Sequence, residues 1–149
     1  MERGLVLVDT TDEHRALVRE AVEHAVGANA SLVLLTTMSE AEFEEDAETL
    51  ESIGEIEHTT YTSGSVLDGA VNDVREFVAD DIPDGVEVTI VARATDEIAD
   101  SVVDLAAERD CDHVFVLGRR RSPTGKALFG DVAQQVALNF DGYVTLATR

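Results

Sequence analysis

Val114 to Val132 reads VFVLGRRRSPTGKALFGDV, and this stretch decides the fold. Val114-Phe115-Val116-Leu117 is an apolar run closed by Gly118. Arg119, Arg120 and Arg121 follow, then Ser122-Pro123-Thr124-Gly125-Lys126, and Gly130-Asp131 opens a new apolar segment. A buried strand, a glycine-bearing loop and a helix start are the physical reading. Loops of this kind gather backbone N–H groups and positive charge around an anion. The chain has 11 Lys+Arg against 31 Asp+Glu, a net charge of -20. Four of those cations, including the single lysine Lys126, fall in this loop.

Working outward, the same alternation recurs. Gly4 to Asp9 predicts a first strand, and Thr10 with Glu13 forms a capping box for a helix. Leu17, Val18, Ala21, Val22, Ala25 and Val26 share that helix's apolar face, and Gly27 is its expected stop. Ser31 to Thr37 is a second buried strand. Ser39 to Gly54 predicts an acidic helix, Glu55 to Thr62 a strand or loop, and Ser65 onward a third helix. Pro83-Asp84-Gly85 is a turn, and Val86 to Ala92 alternates as a strand with one exposed face. Thr95 or Asp96 is the expected cap of a fourth helix and Asp131 that of the last, before a final strand Tyr143 to Thr148. Five strands alternating with helices in 149 residues describe one domain, 1–149, with a doubly wound α/β sheet.

Composition limits the function. A field of -20 opposes nucleic acid and anionic membranes. Acids spread along the whole chain, with one lysine, match adaptation to high salt, where like charges are screened. Nothing near Met1 resembles a signal peptide, no apolar run reaches a membrane-spanning length, and Cys111 has no disulfide partner in the chain. A cytoplasmic location is the expectation. Cys111 reads as structural, and His14, His24, His58 and His113 show no metal-ligand spacing. Gly118 to Lys126 is not a Walker loop, because Ala127 stands where a magnesium-holding hydroxyl belongs.

The order of parts resembles the universal stress protein family along essentially the whole chain. Ala107 to Gly118, AERDCDHVFVLG, and Gly130 to Thr148, GDVAQQVALNFDGYVTLAT, are similar to the family's fourth strand and its closing helix and strand. The RRRSPTGKALFG loop looks like the variant common in salt-loving archaea. The resemblance implies a Rossmann-like sheet in order 3-2-1-4-5, of the adenine nucleotide alpha hydrolase type. Strands one and four are then neighbours at a topological switch point, beside Asp9-Thr10 and Gly118 to Asp131.

Family members that bind ATP carry Gly, two residues, Gly, nine residues, Gly, then Ser or Thr. Without a gap, Leu117 and Arg120 take the first two glycine positions and only Gly130 matches. With a one-residue deletion Gly118 and Gly130 match and Arg121 takes the middle one. Either register puts Asp131 where the hydroxyl belongs, followed by Val132. The resemblance therefore implies a site for ATP, with Mg2+ if bound. It would be built from Asp9, Thr10, Leu32, Gly118, Arg119, Arg120, Arg121, Gly125, Lys126, Gly130, Asp131 and Val132. Guanidinium groups bind phosphate well, while the Asp131 carboxylate reverses the sign expected at the helix start. No catalytic base is identifiable, so an enzyme beyond a slow ATPase has little support. The alternative is a nucleotide-free interaction module. The resemblance also implies a homodimer through Tyr143 to Thr148 and an unknown protein partner.

Overall fold

The computed structural model describes residues 1–57, 63–118 and 130–148. The elements run β1 (Arg3–Leu7), α1 (Asp12–Ala28), β2 (Ser31–Met38), α2 (Glu40–Glu57), α3 (Ser63–Val78), a 3-10 turn (Ala79–Asp81), β3 (Val88–Ala94), α4 (Ile98–Glu108), β4 (His113–Gly118), α5 (Asp131–Asn139) and β5 (Tyr143–Thr148). The five strands form one parallel sheet in the order β3-β2-β1-β4-β5. This is the order the family resemblance implies. The register places Val6 beside Leu34 on one flank and beside Phe115 on the other, so β1 lies at the centre.

The apolar runs of β1, β2 and β4 are buried on both faces, as central parallel strands must be. Two cores result. On one face Val6, Val18, Ala21, Leu34, Val74, Val78 and Phe115 pack under α1 and α3. On the other, Leu5, Leu35, Val102, Leu105, Val116 and Val136 pack under α4 and α5. An Asp81 carboxylate, 5% exposed, ties α1 to the turn after α3 by accepting from Arg15 at 2.8 Å and Arg19 at 2.7 Å. The Arg15 guanidinium also lies 4.1 Å over the Phe77 ring, which joins charge pairing to stacking.

Several ends differ from the sequence reading. The cap of α1 is Thr11, not Thr10: the Thr11 Oγ1 accepts from the His14 amide at 3.2 Å. Both residues carry the hydroxyl that a cap needs, so composition does not separate them. Gly27 does not stop α1. The helix runs on to Ala28, and Asn29 takes the left-handed conformation (φ 52, ψ 46), a geometry its short amide side chain tolerates. Val26 is 59% exposed and lies off the apolar stripe. The expected strand or loop at Glu55 begins instead as the last turn of α2, and residues 58–62 lie outside the described residues. Neither Thr95 nor Asp96 is the residue leading into α4; that residue is Glu97. The Thr95 Oγ1 accepts from the Glu97 amide, and Asp96 Oδ1 accepts from the Glu40 amide at the start of α2.

Gly142 precedes β5 with φ 157, and a Cβ built there would lie 2.7 Å from the Asp112 carbonyl oxygen and 2.6 Å from the Phe140 ring. Gly142→Ala is therefore expected to cost about 1–3 kcal/mol and to lower the melting temperature by several degrees. Thermal unfolding followed by circular dichroism checks it, and an unchanged midpoint would show that the turn relaxes freely.

Candidate functional site: the switch point between β1 and β4

The sheet order reverses between β1 and β4. β2 follows β1 on one side, whereas β5 follows β4 on the other. Connections therefore leave this point in opposite directions, and it is at the carboxyl ends of such strands that open α/β sheets take ligands. From β1 the chain runs through buried Val8, whose amide still donates to the Leu35 carbonyl at 2.9 Å, to exposed Asp9 and Thr10. Asp9 Oδ1 accepts from the Thr10 amide at 2.7 Å, which fixes the turn into α1. From β4 the chain reaches Gly118, which is buried.

Gly130 leads into α5. Its φ of 80 and ψ of 150 lie in a region that only glycine enters at little cost. Gly130, not Asp131, is thus the residue that caps α5, with no side-chain hydrogen bond to the first-turn amides. Asp131 is the first helical residue and its side chain is exposed. The sequence reading of Asp131 as the cap is corrected here. A carboxylate in the first turn still interacts favourably with the helix dipole, but it adds negative charge beside the amides that would face an anion. Val132 is half-buried against the α4/α5 core.

Leu32 falls away from this group. It is 1% exposed, pairs with Gly4 and Val88 near the amino end of the sheet, and belongs to the core beneath α1. Its side chain has no surface to offer a ligand at the carboxyl ends of the strands. Arg119, Arg120, Arg121, Gly125 and Lys126 lie outside the described residues.

His14 was missed in the sequence because only metal spacing was sought among the histidines. It sits in the first turn of α1 with Nδ1 2.7 Å from Thr11 Oγ1. Burial lowers its pKa, against the raising effect of Asp9 and Glu13, so the neutral imidazole is favoured. Thr11 Oγ1 also accepts from the His14 amide, so the hydroxyl holds both the backbone and the ring of His14. The detectable signal was Thr-x-x-His directly after a strand.

Other chemistry is weaker. Burial pushes the Cys111 thiol up to about 11, so it is no nucleophile near neutral pH. Among the described residues no cluster of three His, Cys, Asp or Glu side chains is arranged to hold a metal. A cleft of about 390 Å³ between α2 and α3 is lined by Glu42, Asp46 and Asp73 around Met38, Leu50 and Val66. Its three carboxylates oppose a phosphate. Among the described residues no helix is long and apolar enough to cross a membrane.

The family model of the universal stress proteins matches residues 1–147. The chain belongs to the universal stress protein family. A universal stress protein from Archaeoglobus fulgidus superposes with a TM-score of 0.63 at 23% identity, covering 98% of this chain and 97% of that one. A universal stress protein solved in complex with cAMP has a TM-score of 0.62 at 18% identity, covering 99% and 96%. A universal stress protein from Archaeoglobus fulgidus in complex with dAMP has a TM-score of 0.57 at 20% identity, covering 98% and 96%. At these identities the superpositions establish the shared fold. No curated protein sequence matches the chain.

Proposed function

We propose that this universal stress protein is a regulatory module that takes an adenine nucleotide at the β1/β4 switch point. The observation that carries the reading is the opening of α5 at that point on Gly130, a glycine with positive φ whose following amides have no side-chain cap. Two proteins of the same fold were solved with adenine nucleotides, cAMP and dAMP, which supports the ligand class. Asp9 and Thr10 lie on the β1 side, and the Arg119 to Arg121 cluster with Lys126 supplies cations in the connecting sequence. ATP fits this donor set through the α5 amides and these cations. Magnesium fits less well among the described residues, where no group of three His, Cys, Asp or Glu side chains is arranged to hold a metal. Any magnesium would arrive on the nucleotide phosphates.

A second reading, a nucleotide-free interaction module, is favoured by one observation: the exposed Asp131 carboxylate in the first turn of α5. In both readings β5, an edge strand of the sheet among the described residues, is the proposed self-association surface of a homodimer. Calorimetric titration with ATP, cAMP and AMP in molar KCl, with and without magnesium, tests the first reading. Saturable binding that weakens in Arg121→Ala is expected. Absence of both heat and thermal stabilisation at millimolar nucleotide would leave the second reading.

A further inference from the structure

Four rings gather at the amino end of the β4/β5 edge, far from the switch point. His113 at the start of β4 stacks on Phe115, with centroids 4.4 Å apart and planes within 6°. Tyr143 of β5 lies 6.0 Å from the same imidazole, and His113 Nε2 is 2.7 Å from Thr145 Oγ1 of β5. From α1, His24 closes over both rings edge-on, 5.7 Å from His113 and 5.4 Å from Phe115. Its Nε2 lies 3.3 Å from Glu20 Oε1. The cluster thus joins three elements, α1, β4 and the edge strand β5. It adjoins a groove of about 280 Å³ lined by Ala16, Leu17, Glu20, Thr145, Leu146 and Ala147. Glu20 and Thr145 belong to both.

We propose that the His24–His113 pair is a proton-operated switch that holds β5 against α1 and β4 when neutral and loosens that edge when both rings are charged. His24 is the more exposed of the two and has the Glu20 carboxylate 3.3 Å from its Nε2. The other ionisable groups facing His113 are Asp112 on its own strand, Tyr143 on β5 and the amino group of Met1. Burial lowers the His113 pKa most, and the charge of His24 lowers it further, against the raising effect of Asp112. An imidazolium at His113 would meet a like charge across the aromatic cluster, with its other face covered by Phe115.

The sign follows from the direction of that shift. Above 6.5, the ordinary value, both folded and unfolded chains hold a neutral ring and the stabilisation is complete. As pH falls below 6.5, the unfolded chain takes up a proton that the folded edge resists, and stability declines until the folded ring itself is protonated. His14 has the same sign at the other end of α1, so global unfolding does not separate the two. Local readouts do.

Histidine resonances and amide exchange followed by NMR from about pH 5 to pH 8, in constant molar KCl, test the proposal. His113 is expected to titrate below 6.5. His24→Gln moves the His113 midpoint up towards 6.5, which a merely structural ring would not show. Amides of Thr145, Leu146 and Ala147 exchange faster in the native protein than in His113→Gln as pH falls, by about tenfold for each unit of His113 displacement. Comparison at equal pH removes the intrinsic exchange rate. Glu20→Gln, on the surface of α1, is the second variant and is expected to leave the His113 midpoint below 6.5. An unmoved His113 midpoint in His24→Gln, or an exchange ratio flat with pH, would overturn the switch.

Discussion

In dilute buffer the protein is expected to lose helical signal, beginning with α2, and to regain it as KCl is raised to molar concentration. The reason is local. α2 runs EAEFEEDAETLESIGEIE from Glu40 to Glu57 and contains nine acids and no base. Seven like-charged pairs fall three or four residues apart: Glu40–Glu44, Glu42–Glu45, Glu42–Asp46, Glu44–Glu48, Glu45–Glu48, Glu48–Glu51 and Glu51–Glu55. Such pairs sit about 5–6 Å apart and destabilise a helix by roughly 0.2–0.5 kcal/mol each when unscreened, about 1.5–3.5 kcal/mol together. That is a large part of a total stability near 5–15 kcal/mol. The Debye length falls from about 30 Å at 0.01 M salt to about 3 Å at 1 M, which is shorter than these separations. The rest of the -20 charge acts in the same direction over longer distances. Melts by circular dichroism across a KCl series measure the effect. Glu44→Lys, which turns two of the seven repulsions into attractions, should flatten the salt dependence. A melting midpoint indifferent to KCl would mean that the acids are spaced widely enough in the fold to be harmless, and the reading of the composition as salt adaptation would fall.

The strands were legible because burial on both faces leaves a plain mark. Leu5-Val6-Leu7, Leu32 to Leu35 and Val114 to Leu117 are apolar without alternation, and they became the three central strands. The sheet order was not legible from those runs. It came from the family resemblance, since apolar content does not say which strand lies beside which. Helix ends were read less well than helices. Thr10 and Thr11 are chemically equivalent caps, and only the path leaving β1 chooses between them. Gly27 is a reasonable stop, but its α-carbon faces open space, so the helix passes through it and ends where Asn29 can turn left-handed. Leu32 was assigned to the ligand from the family resemblance; the register shows that it lies at the amino end of β2, remote from the switch-point end. The His24–His113 cluster left no sequence mark, because its members come from α1, β4 and β5 and meet only where α1 packs over β4 and β5 pairs with it.

Asp131→Ser is expected to tighten ATP binding by roughly ten- to a hundredfold, between the values that bulk water and a protein surface give for one unit charge about 4–6 Å from a phosphate. The geometry makes this residue decisive. Gly130 bends the chain so that α5 starts at the switch point, and the first helical residue there carries a carboxylate instead of a hydroxyl. A serine keeps the small polar side chain at this place and removes the charge. Asp131→Asn separates the two effects, since it removes charge while preserving shape. The nucleotide series adds a second axis: the gain should be largest for ATP and smallest for AMP, because the penalty scales with phosphate charge. A native protein that binds nothing, with a serine variant that binds ATP, would show a site silenced by one carboxylate, and the nucleotide-free module would be its native state. A native protein that binds ATP and is unaffected by either substitution would mean that Asp131 points away from the phosphates. The Arg119 to Arg121 cluster would then outweigh it, and Arg121→Ala rather than Asp131→Ser would change the affinity.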